Sequence, residues 1–367
     1  MDDWTYCAQT LPKVSRTFAL NISVLRGPLH RSILTAYLFC RIADTVEDAA
    51  KLDPQKKIKL LTKFSRLMED RDFRDKNLTT WVKECEVVDG TPNDLDLLNQ
   101  TQRVFNVFDS LLKNHQDQII PSVTKMAKGM AFFQSRFQFG KITPLGNIHD
   151  LEEYCYFVAG VVGEMLCNLF FQKLPYLPEA ARNTMRLNAV SFGLGLQMTN
   201  ISKDIIADRD RGWSYIPESI ISEKGLTVDE FHSGVSMEKN LQILESLLCK
   251  TNGHLHDALK FTLAIPRTEI ALRLFCIWPL WMAAKTVSVL HNNPELLNSN
   301  AQVKISRSTV KRILLATPFI SWSNNLLKVS FGNIIDDTVL KKSPVFDREG
   351  LMSRLKRIPL DTVNSNN

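Results

Sequence analysis

Two groups of acidic side chains carry the clearest chemical signal, because each lies in an otherwise apolar helical pattern. Asp44, Glu47 and Asp48 form the first group and share one face of a predicted helix. Like charges at this spacing destabilise an isolated helix by roughly 0.2–0.5 kcal/mol per pair. Carboxylates near a helix C-terminus also face the negative end of the helix dipole. We therefore expect a cation to bind this group.

The second acidic group has the spacing i, i+4, i+8 on another predicted helix and consists of Asn200, Asp204 and Asp208. Carboxylate and amide oxygens suit Mg²⁺, a hard cation that commonly shares its coordination shell with substrate phosphates. A single acidic cluster is common on a solvated helix face, but two such clusters in apolar helices favour a metal site. Cationic side chains stand beside both groups: Arg41, Lys203, Arg209 and Arg211.

Composition indicates one large globular domain. The chain has 367 residues, of which 44% are hydrophobic and 23% charged, and no Pro/Gly/Ser-rich linker divides it. Its net charge of +6 is spread along the sequence without a dense Lys/Arg block, which argues against a nucleic-acid partner. An anionic small molecule or a membrane surface fits this charge better.

Several features favour an intracellular location. Seven scattered cysteines without a C-x-x-C pair suggest a reducing compartment, and the N-terminus lacks the pattern of a secretory signal. The most apolar stretch, from Leu274 to Ala284, falls well short of the roughly 20 residues that a membrane-spanning helix needs. We expect a cytoplasmic protein without a transmembrane anchor.

Apolar residues repeat with the 3.6-residue helical period through most of the chain, and no segment shows the alternation typical of strands. The sequence therefore predicts an all-α fold. The longest predicted helices are Ser32–Asp48, Val123–Arg136, Leu151–Phe171, Glu179–Asp208, Leu241–His256, Glu269–Leu290 and Val303–Leu315.

Four ordered motifs resemble the squalene/phytoene synthase family in order and spacing. They are Ser15–Phe18, Asp44–Asp48, Tyr154–Gly163 and the segment from Gln197 through Asp204 to Pro217. The resemblance implies a single-domain isoprenoid-synthase helical bundle with a central substrate cavity. It places the catalytic domain at 1–340 and a polar tail at 341–367, and implies head-to-head condensation of two prenyl diphosphates.

The resemblance also implies site residues. Mg²⁺ would be bound by Asp44, Glu47, Asp48, Asn200, Asp204 and Asp208. The substrate diphosphates would be held by Ser15, Arg16, Arg41, Gln197, Lys203 and Arg211. Tyr37 and Tyr154 occupy the positions of the family's functional tyrosines near the reacting carbons. Many family members have arginine where this chain has Lys203 and Trp213, so Arg209 or Arg211 is expected to supply the missing charge.

The chemistry implied by the family makes two opposite demands on the site. The departing diphosphate needs its negative charge neutralised by metal ions and cationic side chains. The carbocation that remains is stabilised by aromatic faces such as Tyr154, by roughly 0.5–2 kcal/mol per ring. Four glycines lie inside helical patterns, where each costs about 0.8–1 kcal/mol relative to alanine, so close packing or a cavity should offset them. These are Gly160, Gly163, Gly193 and Gly195.

The C-terminal third bears on the product. Segments Ala264–Pro266 and Val303–Arg307 are more similar to the squalene branch, which adds an NADPH-dependent reduction, than to the phytoene branch. Lys304 and Arg307 would then hold NADPH phosphates, with Asn200 assisting, although an ordinary basic helix start explains them equally well. The expected reaction converts farnesyl diphosphate to squalene in a bacterial-type enzyme that contacts membranes peripherally for product release.

Three other functions stay open at this stage. A phytoene or dehydrosqualene synthase would perform the same first condensation without hydride transfer. A non-catalytic helical homologue would have no reason to keep Asp44, Asp48, Asp204 and Asp208. A terpene cyclase would use similar acidic helices, but Tyr154–Gly163 does not belong to its pattern.

Overall fold

Helices dominate the computed structural model, which describes residues 1–138, 140–297, 303–342 and 346–360. These residues confirm the predicted all-α fold. The chain divides into two compact units, the first comprising Met1–Phe137, Glu164–Pro175 and the residues from Arg357. The second unit comprises Gln138–Gly163 and Tyr176–Lys356.

The first unit contains eight consecutive helices and most of α10. They are α1 Asp3–Val14, α2 Arg16–Ser23, α3 Gly27–Asp48, α4 Pro54–Glu69, α5 Arg71–Glu84, α6 Pro92–Asn99, α7 Thr101–Asp109 and α8 Lys113–Gln134.

The second unit begins with strand β1 and helix α9 and contains the remaining elements. They are β1 Thr143–Pro144, α9 Ile148–Cys155, the first three residues of α10 Val161–Lys173, α11 Glu179–Lys203, α12 Ile205–Asp210, β2 Trp213–Ser214, α13 Glu218–Glu223, α14 Val228–Ser233, α15 Met237–Ala264, α16 Ile270–Leu290, α17 Arg307–Ile320, α18 Asn324–Gly332 and α19 Arg348–Leu355.

An aromatic cluster fixes the position of α3 in the first unit. Phe39 is fully buried, and its ring centroid lies 4.8 Å from Phe105 on α7 and 5.6 Å from Phe108. Phe64 on α4 lies 6.3 Å from Phe39 and stacks on Trp81 at 5.2 Å. Aromatic side chains contribute most to a core because they bury the largest areas. This cluster therefore holds the end of α3, which carries the first acidic group.

Glycines let the helices of the second unit approach closely. A Cβ atom at Gly163 would lie 2.1 Å from the carbonyl oxygen of Ala189, and one at Gly193 would lie 2.3 Å from that of Ala159. Residues 159–163 therefore pack backbone against backbone on α11. This close packing is one of the two explanations that the sequence offered for the helical glycines.

Three predicted elements need correction. The predicted helix Leu151–Phe171 is interrupted by a π-helical turn at Tyr156–Gly160, and the predicted helix Glu179–Asp208 is interrupted at Asp204. The prediction that the chain contains no strands was also wrong in detail, because β1 and β2 form a parallel pair of two residues each. Such a short pairing leaves no alternating pattern in the sequence.

Two helical stretches are long and apolar enough to cross a membrane, although the sequence predicted a much shorter apolar segment. They are Ile148–Lys173 and Ile270–Leu290, and in each 72% of the apolar window is buried within the fold. Core helices pass the same test of length and composition, so these stretches are weak evidence for a membrane span.

The residues after 340 include a docked helix. In α19, Arg354 pairs with Glu152 at 2.7 Å and with Glu153 at 3.1 Å, both on α9 of the same unit. Within the predicted tail 341–367, residues 343–345 and 361–367 lie outside the described part of the chain. The boundary of the catalytic domain at 340 stays a prediction.

Candidate active site

The first acidic group lies in the last two turns of α3. Asp48 is exposed and Asp44 is half-buried, whereas Glu47 is only 6% exposed. The buried Lys57 ammonium donates to the backbone carbonyl of Glu47 at 2.7 Å, which satisfies an acceptor at the helix end. Of the three predicted metal ligands, the two aspartates are therefore more accessible than Glu47.

Arg41 lies one turn before Asp44 and forms a bidentate ion pair that the sequence did not predict. Its Nε and Nη2 atoms donate to the two carboxylate oxygens of Asp94 at 2.8 and 2.9 Å. Burial would raise the pKa of Asp94, but hydrogen bonds from Arg41 and Thr91 outweigh it and lower the pKa. Burial would lower the pKa of Arg41, but its hydrogen bonds to Asp94 and the nearby charge of Asp44 outweigh burial and raise that pKa, so the guanidinium stays charged.

Ser15 and Arg16 form the start of α2. The hydroxyl of Ser15 caps this helix by accepting the backbone N–H of Phe18 at 3.2 Å, and Arg16 is exposed at the first helical position. Free N–H groups and the positive end of the helix dipole make such a position suitable for an anion. The geometry therefore fits the diphosphate role that the family resemblance implies.

Tyr37 connects this helix start to the acidic group. Burial raises the pKa of Tyr37 to about 12, a hydrogen bond from Ser15 opposes the shift, and the charge of Asp44 adds to it. Its ring also lies 5.1 Å from that of Phe18. The first unit therefore brings Ser15, Tyr37, Arg41 and Asp44 close to one another, with Tyr37 held as a neutral phenol.

The second acidic group keeps its spacing although the helix is interrupted. Asp204 adopts φ −104° and ψ 21° between α11 and α12. The backbone N–H of Asp204 still donates to the carbonyl of Asn200, and that of Asp208 to the carbonyl of Asp204, both at 2.9 Å. Four-residue spacing therefore continues through the break and keeps the three side chains on one face. Asn200 is exposed, Asp204 half-buried and Asp208 buried.

Cationic partners accompany this second group. Lys203 lies 3.1 Å from the carboxylate of Asp204, and Arg211 lies 2.5 Å from that of Asp208. Arg209, the alternative to Arg211 in the sequence prediction, pairs with Asp210 instead. Arg211 is therefore the arginine that the second unit places beside the acidic group. Gln197 is half-buried on α11, two turns before the break.

An aromatic stack lies next to this group and contains two residues that sequence reasoning did not assign. Tyr154 is buried, its hydroxyl donates to that of Tyr215 at 3.0 Å, and the two rings stack at 4.5 Å. Trp213 continues the stack, nearly parallel to Tyr215 at 5.6 Å. Trp213 therefore supplies an aromatic face where many family members are expected to have arginine.

A small pocket joins the stack to the second acidic group. It is lined by Ile201, Ile205, Asp208, Trp213, Ser214, Tyr215, Ile216 and His232. His232 is buried, and neither ring nitrogen has a hydrogen-bond partner among the described residues. Burial, aided by the charge of Arg209, lowers the pKa of His232 to about 4, so this histidine is neutral at physiological pH. His232 belongs to none of the four sequence motifs, so only the fold shows that it lies beside the second acidic group.

The π-helical turn Tyr156–Gly160 follows Tyr154 directly. Such turns are rare and frequently occur at functional sites, because they insert one residue and redirect the side chains beside them. Gly160, Gly163 and Gly193 then hold this segment against α11. The turn and the glycines together fix the orientation of the helix that carries Tyr154.

Lys304 and Arg307 lie at the start of α17. Lys304 is exposed in the extended segment before the helix, and Arg307 is exposed at its first position, while Ser306 caps the helix by accepting the N–H of Thr309 at 3.1 Å. The helix predicted for Val303–Leu315 therefore begins at Arg307 and ends at Ile320, and Lys304 precedes it because Ser306 caps the helix. The role of this basic helix start in binding NADPH stays a prediction.

The donor atoms fit Mg²⁺ bound together with a substrate. Asp44, Asp48, Asp204 and Asn200 are half-buried or exposed, and all offer the hard oxygen ligands that this ion prefers. Across the described ranges, no group of three or more His, Cys, Asp or Glu side chains forms a metal cage on its own. An ion whose shell is completed by phosphate oxygens suits such a donor set.

The helical fold and the two acidic helix ends with their motifs define an isoprenoid-synthase type of protein. Residues 11–309 match the family model described as squalene/phytoene synthase. The chain therefore belongs to the squalene/phytoene synthase family, as its motifs indicated.

Curated relatives support this assignment. The chain is 32% identical over 320 residues to squalene synthase of Candida albicans, which covers 84% of this chain and 66% of that protein. It is 28% identical over 314 residues to squalene synthase 1 of Arabidopsis thaliana, covering 85% of this chain and 70% of the plant protein. The chain thus spans just under two thirds of the Candida protein.

Solved structures share the fold. The structure of TcSQS in complex with a ligand has a TM-score of 0.77 and 25% identity and covers 98% of this chain and 99% of that chain. A dehydrosqualene synthase in complex with a ligand has a TM-score of 0.56 and 20% identity and covers 90% and 97% of the two chains. At that identity the second likeness shows the fold alone.

Proposed function

We propose that this chain is a prenyltransferase that condenses two farnesyl diphosphates head to head through presqualene diphosphate. A reduction by NADPH then gives squalene. Family membership and similarity to curated squalene synthases support the proposal. The structural observation that carries it is the presence of accessible carboxylates and fixed cationic side chains at two helix ends, Asp44 with Arg41 and Asp204 with Lys203.

The acidic groups and their cationic neighbours act on the leaving diphosphate. Mg²⁺, when bound, neutralises the charge that develops as the C–O bond breaks. Each acidic group would hold such an ion by itself. Asp44 and Asp48 would do so in the first unit, with Glu47 in a lesser role, and Asn200, Asp204 and Asp208 would do so in the second unit. Charged groups fixed in advance stabilise a transition state without reorganisation. This favours the pre-positioned Arg41 and Arg211 as diphosphate partners.

The helix start at Ser15 and Arg16 binds phosphate oxygens in this proposal. Backbone N–H groups in the first turn of α2 and the exposed Arg16 side chain supply donors for them. Tyr37 keeps its proton, because burial raises its pKa to about 12, so its hydroxyl can donate a hydrogen bond to a phosphate oxygen. It therefore orients an anionic group without adding negative charge.

The aromatic stack stabilises the carbocation in this proposal. Tyr154, Tyr215 and Trp213 are buried and stacked, so their faces are held in place rather than rotating freely. Each face offers roughly 0.5–2 kcal/mol to a nearby cation. The hydrogen bond between the two tyrosine hydroxyls fixes Tyr154 relative to Tyr215.

NADPH supplies the hydride of the second half-reaction, and Lys304 and Arg307 are the proposed partners of its phosphates. Both side chains are exposed at the start of α17, where charge-assisted hydrogen bonds to phosphate can form. We further propose that the enzyme is cytoplasmic and contacts membranes only peripherally.

Release of diphosphate from farnesyl diphosphate tests the metal and substrate assignment. We expect Asp204→Asn to lower the turnover at saturating Mg²⁺ by at least ~10³-fold, because stabilisation of the leaving group is lost. Asp210→Asn is the matched control. This aspartate lies on α12 but pairs with Arg209, and its loss should change turnover less than about threefold, as expected for an exposed ion pair. Equal turnover in both variants would contradict the assignment.

A further inference from the structure

Large apolar side chains line the outer face of α17 and α18. Leu315 and Phe319 on α17 are 71% and 79% exposed, and Trp322 in the connecting turn is also exposed. Leu326 and Val329 continue the series on α18. These five residues, the outer face, all lie in segment 315–329; Leu315 and Phe319 are four residues apart on α17, and Leu326 and Val329 are three apart on α18, so each pair shares one face of its helix. Isolated exposed apolar residues are ordinary, but five large ones in one short segment mark an interaction surface.

The inner faces of the same helices are firmly anchored. Trp278 on α16 donates from its indole nitrogen to the hydroxyl of Thr317 at 2.9 Å. Trp281 donates likewise to Ser330 on α18 at 3.0 Å. Buried Arg273 donates to the side-chain oxygen of Asn324 at 2.6 Å. Because the inner contacts fix both helices, the outer face cannot turn inward without breaking them.

The segment that carries the outer face is strongly cationic. Residues 303–335 contain five Lys or Arg residues and no Asp or Glu, which gives a formal charge of +5. The whole chain carries only +6, so this segment holds nearly all of the excess. All five cationic side chains are exposed: Lys304, Arg307, Lys311, Arg312 and Lys328.

We propose that the outer face of α17–α18 docks on the surface of an anionic phospholipid bilayer. A helix lies in the membrane interface when its apolar residues are flanked by Lys and Arg that attract anionic headgroups. Trp322 fits this role, since tryptophan favours the interface, and its indole nitrogen donates to the carbonyl of Phe319 at 2.8 Å. A cationic segment without acidic residues complements an anionic lipid surface. The proposal rests on the peripheral membrane contact proposed above and names its surface, but it does not depend on the catalytic reaction.

Flotation of the full chain with lipid vesicles tests this proposal. We expect wild type to float with vesicles of phosphatidylcholine and phosphatidylglycerol and to bind far less to phosphatidylcholine alone. Replacing two apolar residues, Phe319→Gln/Val329→Gln, should lower the partition coefficient by at least ~10-fold, since binding scales with buried apolar area. The matched control is Leu187→Gln/Val235→Gln, which alters equally exposed residues elsewhere and should leave binding unchanged.

A charge-reversal pair separates the electrostatic contribution. Lys311→Glu/Arg312→Glu should lower binding to anionic vesicles by at least ~10-fold, because each basic residue near the surface contributes to attraction. Lys76→Glu/Lys83→Glu makes the same charge change on α5 and should have a much smaller effect. Binding should also weaken as salt rises, since exposed charges are screened.

Three results would overturn the proposal. Wild type could fail to float with anionic vesicles, or the outer-face and control variants could bind equally well. Light scattering could instead show a wild-type dimer that Phe319→Gln/Val329→Gln converts to monomers while vesicle binding stays the same. That last result would assign the outer face to a second copy of the chain. Circular dichroism confirms that each variant keeps its helical content.

Discussion

Alanine substitution at the helical glycines measures how tightly the segment after Tyr154 packs on α11. A Cβ at Gly163 or Gly193 would lie 2.1 or 2.3 Å from a backbone carbonyl oxygen of the neighbouring segment. Backbone atoms cannot rotate away, so the two segments must separate. Alanine gains about 1 kcal/mol over glycine in a helix, whereas overpacking a core costs about 1–3 kcal/mol or more. We expect each substitution to lower the free energy of unfolding by at least ~3 kcal/mol, because relief requires backbone movement.

Two other glycines provide a graded comparison. A Cβ at Gly195 would meet a side-chain carbon of Leu255 at 3.1 Å and the Cβ of His254 at 3.2 Å. These neighbours can shift by a few tenths of an ångström, so Gly195→Ala should cost about 1 kcal/mol after the helical gain. A Cβ at Gly332, at the end of α18, would meet nothing within 4 Å. Gly332→Ala should therefore be neutral or stabilise by up to ~1 kcal/mol.

Urea unfolding followed by circular dichroism measures this series. The midpoints should fall in the order Gly332→Ala, Gly195→Ala, and then Gly193→Ala and Gly163→Ala together. An unchanged slope of the unfolding free energy against urea concentration would show that the substitutions change stability and not the compactness of either state. Unfolding midpoints for Gly163→Ala and Gly193→Ala equal to that of Gly332→Ala would refute the close packing on α11.

Three further predictions concern pH, magnesium and NADPH. Burial lowers the pKa of His232 to about 4 and of His254 to about 3, so the unfolded chain takes up these protons first as the pH falls. The free energy of unfolding therefore falls below about pH 6.5, by about 2 kcal/mol per histidine between pH 7 and 5. In urea titrations, His232→Asn should reduce this dependence of the unfolding free energy on pH. An unchanged pH dependence would contradict the assigned burial. Calorimetry should show that Mg²⁺ raises the melting temperature only when inorganic diphosphate is present, whereas a shift with Mg²⁺ alone would indicate a preformed metal cage. Lys304→Ala/Arg307→Ala should raise the KM for NADPH by at least ~10-fold without slowing diphosphate release from farnesyl diphosphate, and an unchanged KM would exclude both residues from the cofactor site.

Helical periodicity was sufficient to predict the fold class and to place both acidic groups on helices. It could not reveal contacts between residues far apart in the chain. Asp94 lies 53 residues from its partner Arg41, and Tyr215 lies 61 residues from Tyr154. Such pairs depend on tertiary packing. Asp94 belongs to none of the four motifs, and Tyr215 lies within the motif segment Gln197–Pro217 without a spacing that would link it to Tyr154.

Local interruptions of helices were also beyond the sequence patterns. The residues of the π-helical turn Tyr156–Gly160 continue an apolar helical pattern, so only the backbone hydrogen bonds identify it. The break at Asp204 keeps four-residue spacing on both sides and therefore looks like one helix in sequence. In contrast, helical glycines carried a signal, because their cost in a helix required close packing or a cavity.

Product identification tests the proposed function most directly. The purified chain would be incubated with farnesyl diphosphate and Mg²⁺, with and without NADPH, and the extracted products analysed by mass spectrometry. We expect squalene with NADPH, and presqualene diphosphate or rearranged alcohols without it. An unreduced hydrocarbon with a central triene in the presence of NADPH would indicate a phytoene or dehydrosqualene type of synthase. The absence of any condensed product under both conditions would contradict the proposed prenyltransferase activity.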